Sequence, residues 1–249
     1  MSQTLDRALT ILELVADSPR RISDIADELG VHHSTALRLL HTLRKHGFVA
    51  EEADHSYRLG STIMRLGFRA YDQVDLRTLV RPVMERLNHE TRETIHLGVL
   101  EAGEVFYLDK VEAAHAVRMH SSVGAIAPLH CTSVAKAILA FLPEARRREL
   151  IDGYELNRRT GNTRTTVEAL EADLADSRAR GYALDEEEHE PAIHCIAAPI
   201  IDADGHVVAA LSISTPTSRI DRGVLLSFAD PLLQATADAS SLLGWRAGQ

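Results

Sequence analysis

The sequence has few cysteines and no long apolar run, and each of these absences excludes a class of protein. Cys131 and Cys195 are the two cysteines among 249 residues, too few for a disulfide framework, and they form no CxxC pair. No window of about 18 residues is continuously apolar, and residues 1–6 lack the basic-then-apolar pattern of a secretory signal. We therefore expect a cytoplasmic protein with free thiols and no contact with a membrane.

The sequence also lacks an excess of positive charge, which at first argues against a nucleic-acid partner. The formal net charge is −9, whereas phosphate contacts require lysine and arginine. Residues 1–70 nevertheless carry nine basic and nine acidic residues, so the negative excess lies in the other 179 residues. We therefore expect any DNA contact in the N-terminal part. Protonation below pH ~6.5 of five histidines there would strengthen DNA binding; these are His32, His33, His41, His46 and His55.

The composition is that of a globular protein with two domains. Apolar residues make up 45% and charged residues 25% of the chain, which is ordinary for folded proteins. A length of 249 residues exceeds one average domain of roughly 100–200 residues. There is no internal repeat and no low-complexity tract.

The first 60 residues have the order of elements of a winged helix-turn-helix. Apolar spacing predicts helices at Thr4–Ala16, at Asp24–Leu29 and at about His33–His46. Ser23 is the predicted N-cap of the second helix. A β-hairpin is predicted from Phe48–Glu51 and Ser56–Leu59. Helix, short helix, glycine turn, amphipathic helix and hairpin together indicate this DNA-binding motif.

The third helix is the predicted reading helix because it is apolar on one side and polar on the other. Ala36, Leu39, Leu40 and Leu43 form the apolar stripe. Arg38 is the best candidate for base recognition, since guanidinium bonds a guanine edge bidentately. The predicted DNA-binding residues are His33, Ser34, Thr35, Arg38, His41, Thr42 and, in the wing, Arg58. The alternative is a three-helix unit that contacts only other proteins.

Beyond the hairpin, the pattern predicts a linker helix and then a mixed helical and sheet domain. We place the linker at 61–75 and the second domain at 76–249, where a helix at Leu76–Glu90 comes first. Alternating or apolar runs predict strands at Thr94–Leu100, Val105–Val111, Val117–His120, Ile193–Ile201 and Val207–Ser214. Further helices are predicted at Thr132–Leu142, Glu144–Ile151, Thr166–Arg180 and Arg222–Leu243. Helices segregated around an antiparallel sheet give an α+β fold.

The whole chain resembles the IclR family of bacterial transcriptional regulators. The N-terminal segments LDRALTILELVA, SDIADELGVHHSTALRLLHTLRKHGFV and YRLGSTIMRLG are similar to the DNA-binding domain of that family. The second half adds PLHCTSVAKAILAFLP (128–143), GYALDEEEHEPAIHCIAAPI (181–200) and DGHVVAALSISTPTSRI (204–220). Several segments in the expected order are a more specific signal than one short motif.

The resemblance implies a regulator and not an enzyme, with no cofactor and no metal. It implies a winged domain joined to a GAF-like effector-binding and oligomerisation domain, acting as a homodimer or a dimer of dimers on double-stranded operator DNA. The implied effector is a small metabolite, commonly a carboxylate, an aromatic acid or a sugar acid. Carried over from the family, the effector-binding residues are Met119, Ser133, Val134, Asp185, Cys195, Ser212 and Ser214.

Other functions are compatible with some of the same residues. Zinc is bound by imidazole and thiolate, and candidates are the pairs His130-Cys131 and His194-Cys195 with His96, His120 and His189. Neighbouring strand residues point to opposite faces, so His194 and Cys195 are not expected to share an ion. Cys195 could instead be a nucleophile with His130 or His194 as base, and the acidic run Asp185–Glu188 could bind Mg²⁺. A sensor domain that acts on proteins is a further alternative.

Overall fold

The computed structural model describes residues 3–66, 75–113 and 121–246. The chain divides into two compact units, Met1–Val74 and Asp75–Gln249. Of the predicted linker, residues 61–66 are helical, and 67–74 lie outside the described residues, as does the strand predicted at Val117–His120. No helix in the described ranges is long and apolar enough to cross a bilayer.

The N-terminal unit is a three-helix bundle with a small antiparallel sheet. Its core joins all three helices to the sheet through buried side chains such as Ile11, Ile25, Leu40 and Val49. The strand order is β1-β3-β2. The elements are α1 (Gln3–Asp17), β1 (Arg20–Arg21), α2 (Ile22–Glu28), α3 (His33–Lys45), β2 (Val49–Glu51) and β3 (Ser56–Leu59).

The start of α2 differs from the prediction. Ser23 was expected as the N-cap, but α2 begins earlier and its N-cap is Arg21, whose backbone N–H donates to the Asp24 carboxylate at 3.4 Å. Arg21 is available for this role because Arg20–Arg21 pairs with Tyr57 and Ser56 of the wing. This two-residue strand was too short to predict, since a period-two pattern needs more residues to be visible.

The C-terminal unit is a six-stranded antiparallel sheet with helices on both faces. The strand order is β6-β5-β4-β9-β8-β7. The strands are β4 (Thr94–Glu101), β5 (Glu104–Val111), β6 (Ile126–Ala127), β7 (Ala183–Glu186), β8 (Ile193–Ile201) and β9 (Val207–Pro216). The helices are α4 (Leu76–Thr91), α5 (Ser133–Phe141), α6 (Glu144–Ile151), α7 (Val167–Arg180), α8 (Arg222–Ser227) and α9 (Ala229–Leu242).

The two faces of this sheet carry side chains of different size. Large residues such as Ile196 and Ile213 pack against α4 and α9. The opposite face carries Ala197 and Ala210, which pack against α5 and α7. Small side chains let α5 approach the strands closely: a Cβ added to Gly98 would lie 2.5 Å from a methyl group of Val134.

Three features of this unit differ from the sequence-based prediction. The single helix expected at Arg222–Leu243 is two helices, α8 and α9, separated at Phe228. Pro231 lies in the first turn of α9, where a proline is tolerated, whereas it would disrupt the interior of a continuous helix. Strands β6 and β7 were not predicted, and β7 contains part of the acidic run that was read as a possible cation site.

Candidate functional site

The outer face of α3 carries the predicted DNA-binding side chains. His33, Ser34, Arg38, His41 and Thr42 are exposed, and Thr35 is half-buried. The opposite face is closed by Ala36, Leu39 and Leu40, which are buried, while Leu43 packs at the edge of the same core. The helix thus combines a fixed apolar side with a free polar side, the arrangement that base reading requires.

The start of α3 is held by His32, which the sequence-based analysis did not identify as a cap. Its Nδ1 lies 2.9 Å from Ser34 Oγ and accepts the backbone N–H of Ser34 at 3.4 Å. This contact orders the first turn, where hydroxyls and free amides suit a phosphate oxygen.

The arginines beside the reading helix are paired with carboxylates of the wing. Arg58 of β3 forms an ion pair with Glu52, and its Nη1 donates to the Leu59 carbonyl at 3.0 Å. Arg44, in the last turn of α3, pairs with Glu51 of β2. The Arg44–Glu51 pair joins α3 to the wing, whereas the Arg58–Glu52 pair lies within the wing. Phosphate contacts by either arginine must compete with these pairs.

The register of the C-terminal sheet brings most of the predicted effector residues together. Asp185 of β7 pairs with Cys195 of β8, which pairs with Ser214 of β9. Directly paired residues point to the same face of a sheet. Two residues before Ser214, Ser212 faces the same side and pairs with His96 of β4. Four adjacent strands therefore contribute to one polar cluster under the start of α5.

This cluster lines a cavity of about 150 Å³. Of the predicted effector residues, Ser133, Asp185, Cys195, Ser212 and Ser214 line it. Val134 is buried and does not line it, and Met119 lies outside the described residues. Residues that the prediction missed also line the cavity: His96, Tyr107, Ser121, Thr132, His189 and Glu190. The sequence marked His96 and His189 only as candidate zinc ligands, and it is the strand register that places His96 in this cavity.

The start of α5 lies at this cavity, which is lined by the N-cap Thr132 and the first helical residue, Ser133. Thr132 is the N-cap, but its side chain makes no cap hydrogen bond; its hydroxyl donates to the Pro128 carbonyl at 2.8 Å instead. The first N–H groups of a helix have no partner inside the helix. They are therefore free to bind an anion, which the positive end of the helix dipole favours.

Asp185 is the buried acid of the cavity. Its Oδ1 accepts the backbone N–H groups of Glu188 at 2.8 Å and His189 at 3.3 Å. Burial raises the pKa of Asp185 to about 7, although the charge of Lys136 opposes this shift. The carboxyl group can therefore either donate or accept a hydrogen bond near neutral pH.

His96 is the neutral polar group on the opposite side of the cavity. Its Nε2 lies 2.7 Å from Ser121 Oγ, and its Nδ1 lies 3.3 Å from Ser214 Oγ. Burial lowers the pKa of His96 to about 3, and the charge of Lys110 adds to this effect. No lysine or arginine is among the described residues that line the cavity, so its polar surface consists mainly of hydroxyl, imidazole and carboxyl groups.

A buried ion-pair network supports the loop that carries Asp185. Lys136 of α5 is fully buried, and its Nζ lies 2.6 Å from Asp173 Oδ2 and 2.7 Å from Glu188 Oε1. Glu188 is the residue whose N–H donates to Asp185. Lys136 thus fixes α5 to α7 and to the loop after β7 directly behind the cavity.

The geometry does not favour the catalytic or zinc alternatives. Burial raises the pKa of the Cys195 thiol well above its usual range, so the thiolate needed for nucleophilic attack is disfavoured. His194 pairs with Thr215, one position along from the pair formed by Cys195, and therefore points to the other face. Within 3–66, 75–113 and 121–246, the one compact group of three or more potential metal ligands is Asp202, Asp204 and His206, which lies away from the cavity residues.

The family comparisons agree with both halves of this architecture. The model of the IclR helix-turn-helix domain matches residues 4–53, and that of the bacterial transcriptional regulator IclR C-terminal domain matches residues 68–241. The chain belongs to the IclR family. This IclR-family chain is 36% identical over 248 residues to the HTH-type transcriptional regulator XynR of Escherichia coli (strain K12), with 98% of each chain covered.

Other relatives of the IclR-family chain lead to the same assignment. The transcriptional repressor IclR of Escherichia coli (strain K12) is 32% identical over 248 residues, with 97% of this chain and 90% of that protein covered. The crystal structure of the Agobacterium tumefaciens repressor BlcR superposes with a TM-score of 0.84 at 26% identity, covering 98% of both chains. These relatives are transcriptional regulators and not enzymes. The predictions of an α+β fold with a winged helix-turn-helix, and of a DNA-binding regulator, are confirmed.

Proposed function

We propose that this regulator binds operator DNA in the cytoplasm through α3 and the wing, and that a small carboxylate in the C-terminal cavity controls that binding. The proposed assembly is a homodimer or a dimer of dimers, with the C-terminal unit, GAF-like in the family expectation, as the oligomerisation domain. The observation that carries the effector proposal is the buried cluster of Asp185, Cys195 and Ser214 beneath the amide end of α5.

A carboxylate fits this cavity through two separate groups. One end would accept hydrogen bonds from the N–H groups at the start of α5 and from the hydroxyl of Ser133, which lines the cavity. The Ser212 and Ser214 hydroxyls can bond a neighbouring oxygen of the ligand. The cavity volume of about 150 Å³ is similar to that of an engineered protein cavity that takes up one benzene molecule, so the effector is expected to be small.

The experiment uses the full chain and DNA from the region upstream of its own gene. Binding is measured by fluorescence anisotropy at fixed salt, alone and with a panel of short oxo acids, hydroxy acids, aromatic acids and sugar acids. We expect at least one acid to change the DNA affinity and to bind the free protein by calorimetry, because an effector acts through different affinities for two states. Binding of none of these acids would contradict the proposal.

Arg38 provides the test for the DNA face. Arg38→Ala should weaken specific binding by about 5- to 150-fold, the equivalent of ~1–3 kcal/mol for one bidentate base contact. Arg146→Ala is the matched control, because Arg146 is an exposed arginine of α6 in the other unit. Equal binding by both variants would remove Arg38 from the reading surface. Sedimentation of the protein with and without DNA distinguishes a dimer from a tetramer.

A further inference from the structure

Leu37 is an apolar side chain on the otherwise polar outer face of α3. It is 49% exposed, whereas the other large apolar residues of this helix contact the core of the N-terminal unit. Within the described residues, Leu37 belongs to no apolar cluster of the chain. Single exposed leucines are common on protein surfaces, so exposure alone assigns no role to it.

The side chains around Leu37 are those predicted to contact DNA. Ser34, Leu37, Arg38 and His41 occupy positions i, i+3, i+4 and i+7 of α3, so they form one continuous stripe on the helix. This stripe, with Arg44 and Tyr57, lines a shallow groove on the outer side of α3. Leu37 is therefore surrounded by side chains whose chemistry suits base edges and phosphates, with Arg38 directly beside it.

We infer that Leu37 reads a thymine in the operator by packing against its C5-methyl group. The major groove offers an apolar contact at one place, the thymine methyl, and this group distinguishes a T·A pair from the others. Leu37 and Arg38 are consecutive in α3, and their side chains leave the helix about 100° apart, so they reach different points of the groove. The thymine is therefore expected in the same half-site as the guanine that Arg38 contacts. This inference rests on the proposed role of α3 in DNA reading.

The test removes the methyl group alone. Full-length protein first selects its preferred sequence from a pool of random duplexes, and each thymine of that sequence is then replaced in turn by deoxyuracil. Loss of one buried methyl group should weaken wild-type binding about fourfold in each half-site. We expect this loss at a thymine in the same half-site as the guanine that Arg38→Ala no longer distinguishes.

Leu37→Ala provides the second arm. Alanine favours helix and the position is exposed, so the fold should be kept; circular dichroism checks this. The variant should bind thymine and uracil duplexes equally, whereas Val167→Ala, which truncates a 43% exposed residue of α7, should retain the wild-type ratio.

The outcomes separate the two hypotheses. If the wild-type protein selects no sequence, the proposed role of α3 fails. If it selects a sequence but no thymine in the half-site is sensitive to loss of its methyl, or if Leu37→Ala keeps the same ratio, the inference about Leu37 is overturned while the role of α3 stands.

Discussion

Replacing Lys136 by methionine tests the network behind the cavity most directly. The side chain is fully buried, and its ammonium group is within 2.7 Å of two carboxylates. Methionine has similar length and no charge, so the change removes the ion pairs with little loss of packing. Asp173 is partly exposed and can be hydrated, but the Glu188 side chain is 2% exposed and its Oε2 has no hydrogen-bond partner in the structure.

The expected cost follows from the charge that remains. Removing one partner of a buried ion pair destabilises a protein by about 3–5 kcal/mol, because the other charge stays buried. Urea unfolding followed by circular dichroism should therefore show a midpoint lower by about 1–2 M. The loss should be smaller at pH 5 than at pH 8, because burial raises the pKa of Glu188 and its protonation removes the uncompensated charge.

Two variants show whether the reasoning is correct. Arg146→Met breaks the exposed pair with Glu149, which is expected to contribute less than 1 kcal/mol. Adding Glu188→Gln to Lys136→Met should recover part of the lost stability, because the buried carboxylate is then neutral. The reasoning is refuted if Lys136→Met costs no more than Arg146→Met, or if the added Glu188→Gln lowers the stability further.

Further predictions concern the cavity. The folded pKa of Asp185 is about 7, above the unfolded value near 4, so this group lowers the free energy of unfolding as pH rises from ~4 to ~7. Asp185→Asn should remove this pH-dependent loss of stability, which amounts to at most about 4 kcal/mol at pH 8. Urea unfolding at pH 5 and pH 8 measures it, and the same dependence of stability on pH in the variant and the wild type would contradict the prediction. The pKa of His96 is lowered to about 3, so this group has the opposite effect and lowers the stability of the fold as pH falls below ~6.5. In the same assay, His96→Asn should lose less stability than the wild type when the pH is lowered. If a carboxylate effector binds the protonated form of Asp185, its affinity should fall about tenfold for each pH unit above pH ~7. Calorimetry with Asp185→Asn should show no such dependence on pH.

The sequence predicted best the elements whose pattern is local. Glu144–Ile151 and Ile193–Ile201 have the predicted bounds, and α3 differs from its prediction by one residue. These segments carry their apolar period and their end signals within the segment itself. Strand β7 was missed because its carboxylates are typical of a solvated surface, although Asp185 is buried by α5 and β8.

The cavity could be predicted only in part. The resemblance supplied Ser133, Asp185, Cys195, Ser212 and Ser214, whereas His96, Tyr107 and His189 come from strands and loops whose proximity depends on the register of the sheet. The Lys136 network was also invisible, because a lysine on an apolar helix gives no sign of the two acids that meet it from distant segments. Pairing between remote residues is a property of the topology and not of the local pattern.

The ion pairs of the wing have a consequence for how binding depends on ionic strength. An arginine that faces solvent displaces condensed cations when it meets a phosphate, and each such contact steepens the loss of affinity with added salt. Arg44 is already paired with Glu51, and Arg58 with Glu52. On binding DNA, each arginine would exchange its carboxylate for a phosphate, and the released carboxylate would lie close to the negatively charged DNA backbone. Residues 1–70 carry equal numbers of basic and acidic side chains, so the N-terminal unit should show weak non-specific attraction to DNA. Discrimination between sequences would then depend on contacts with the base edges.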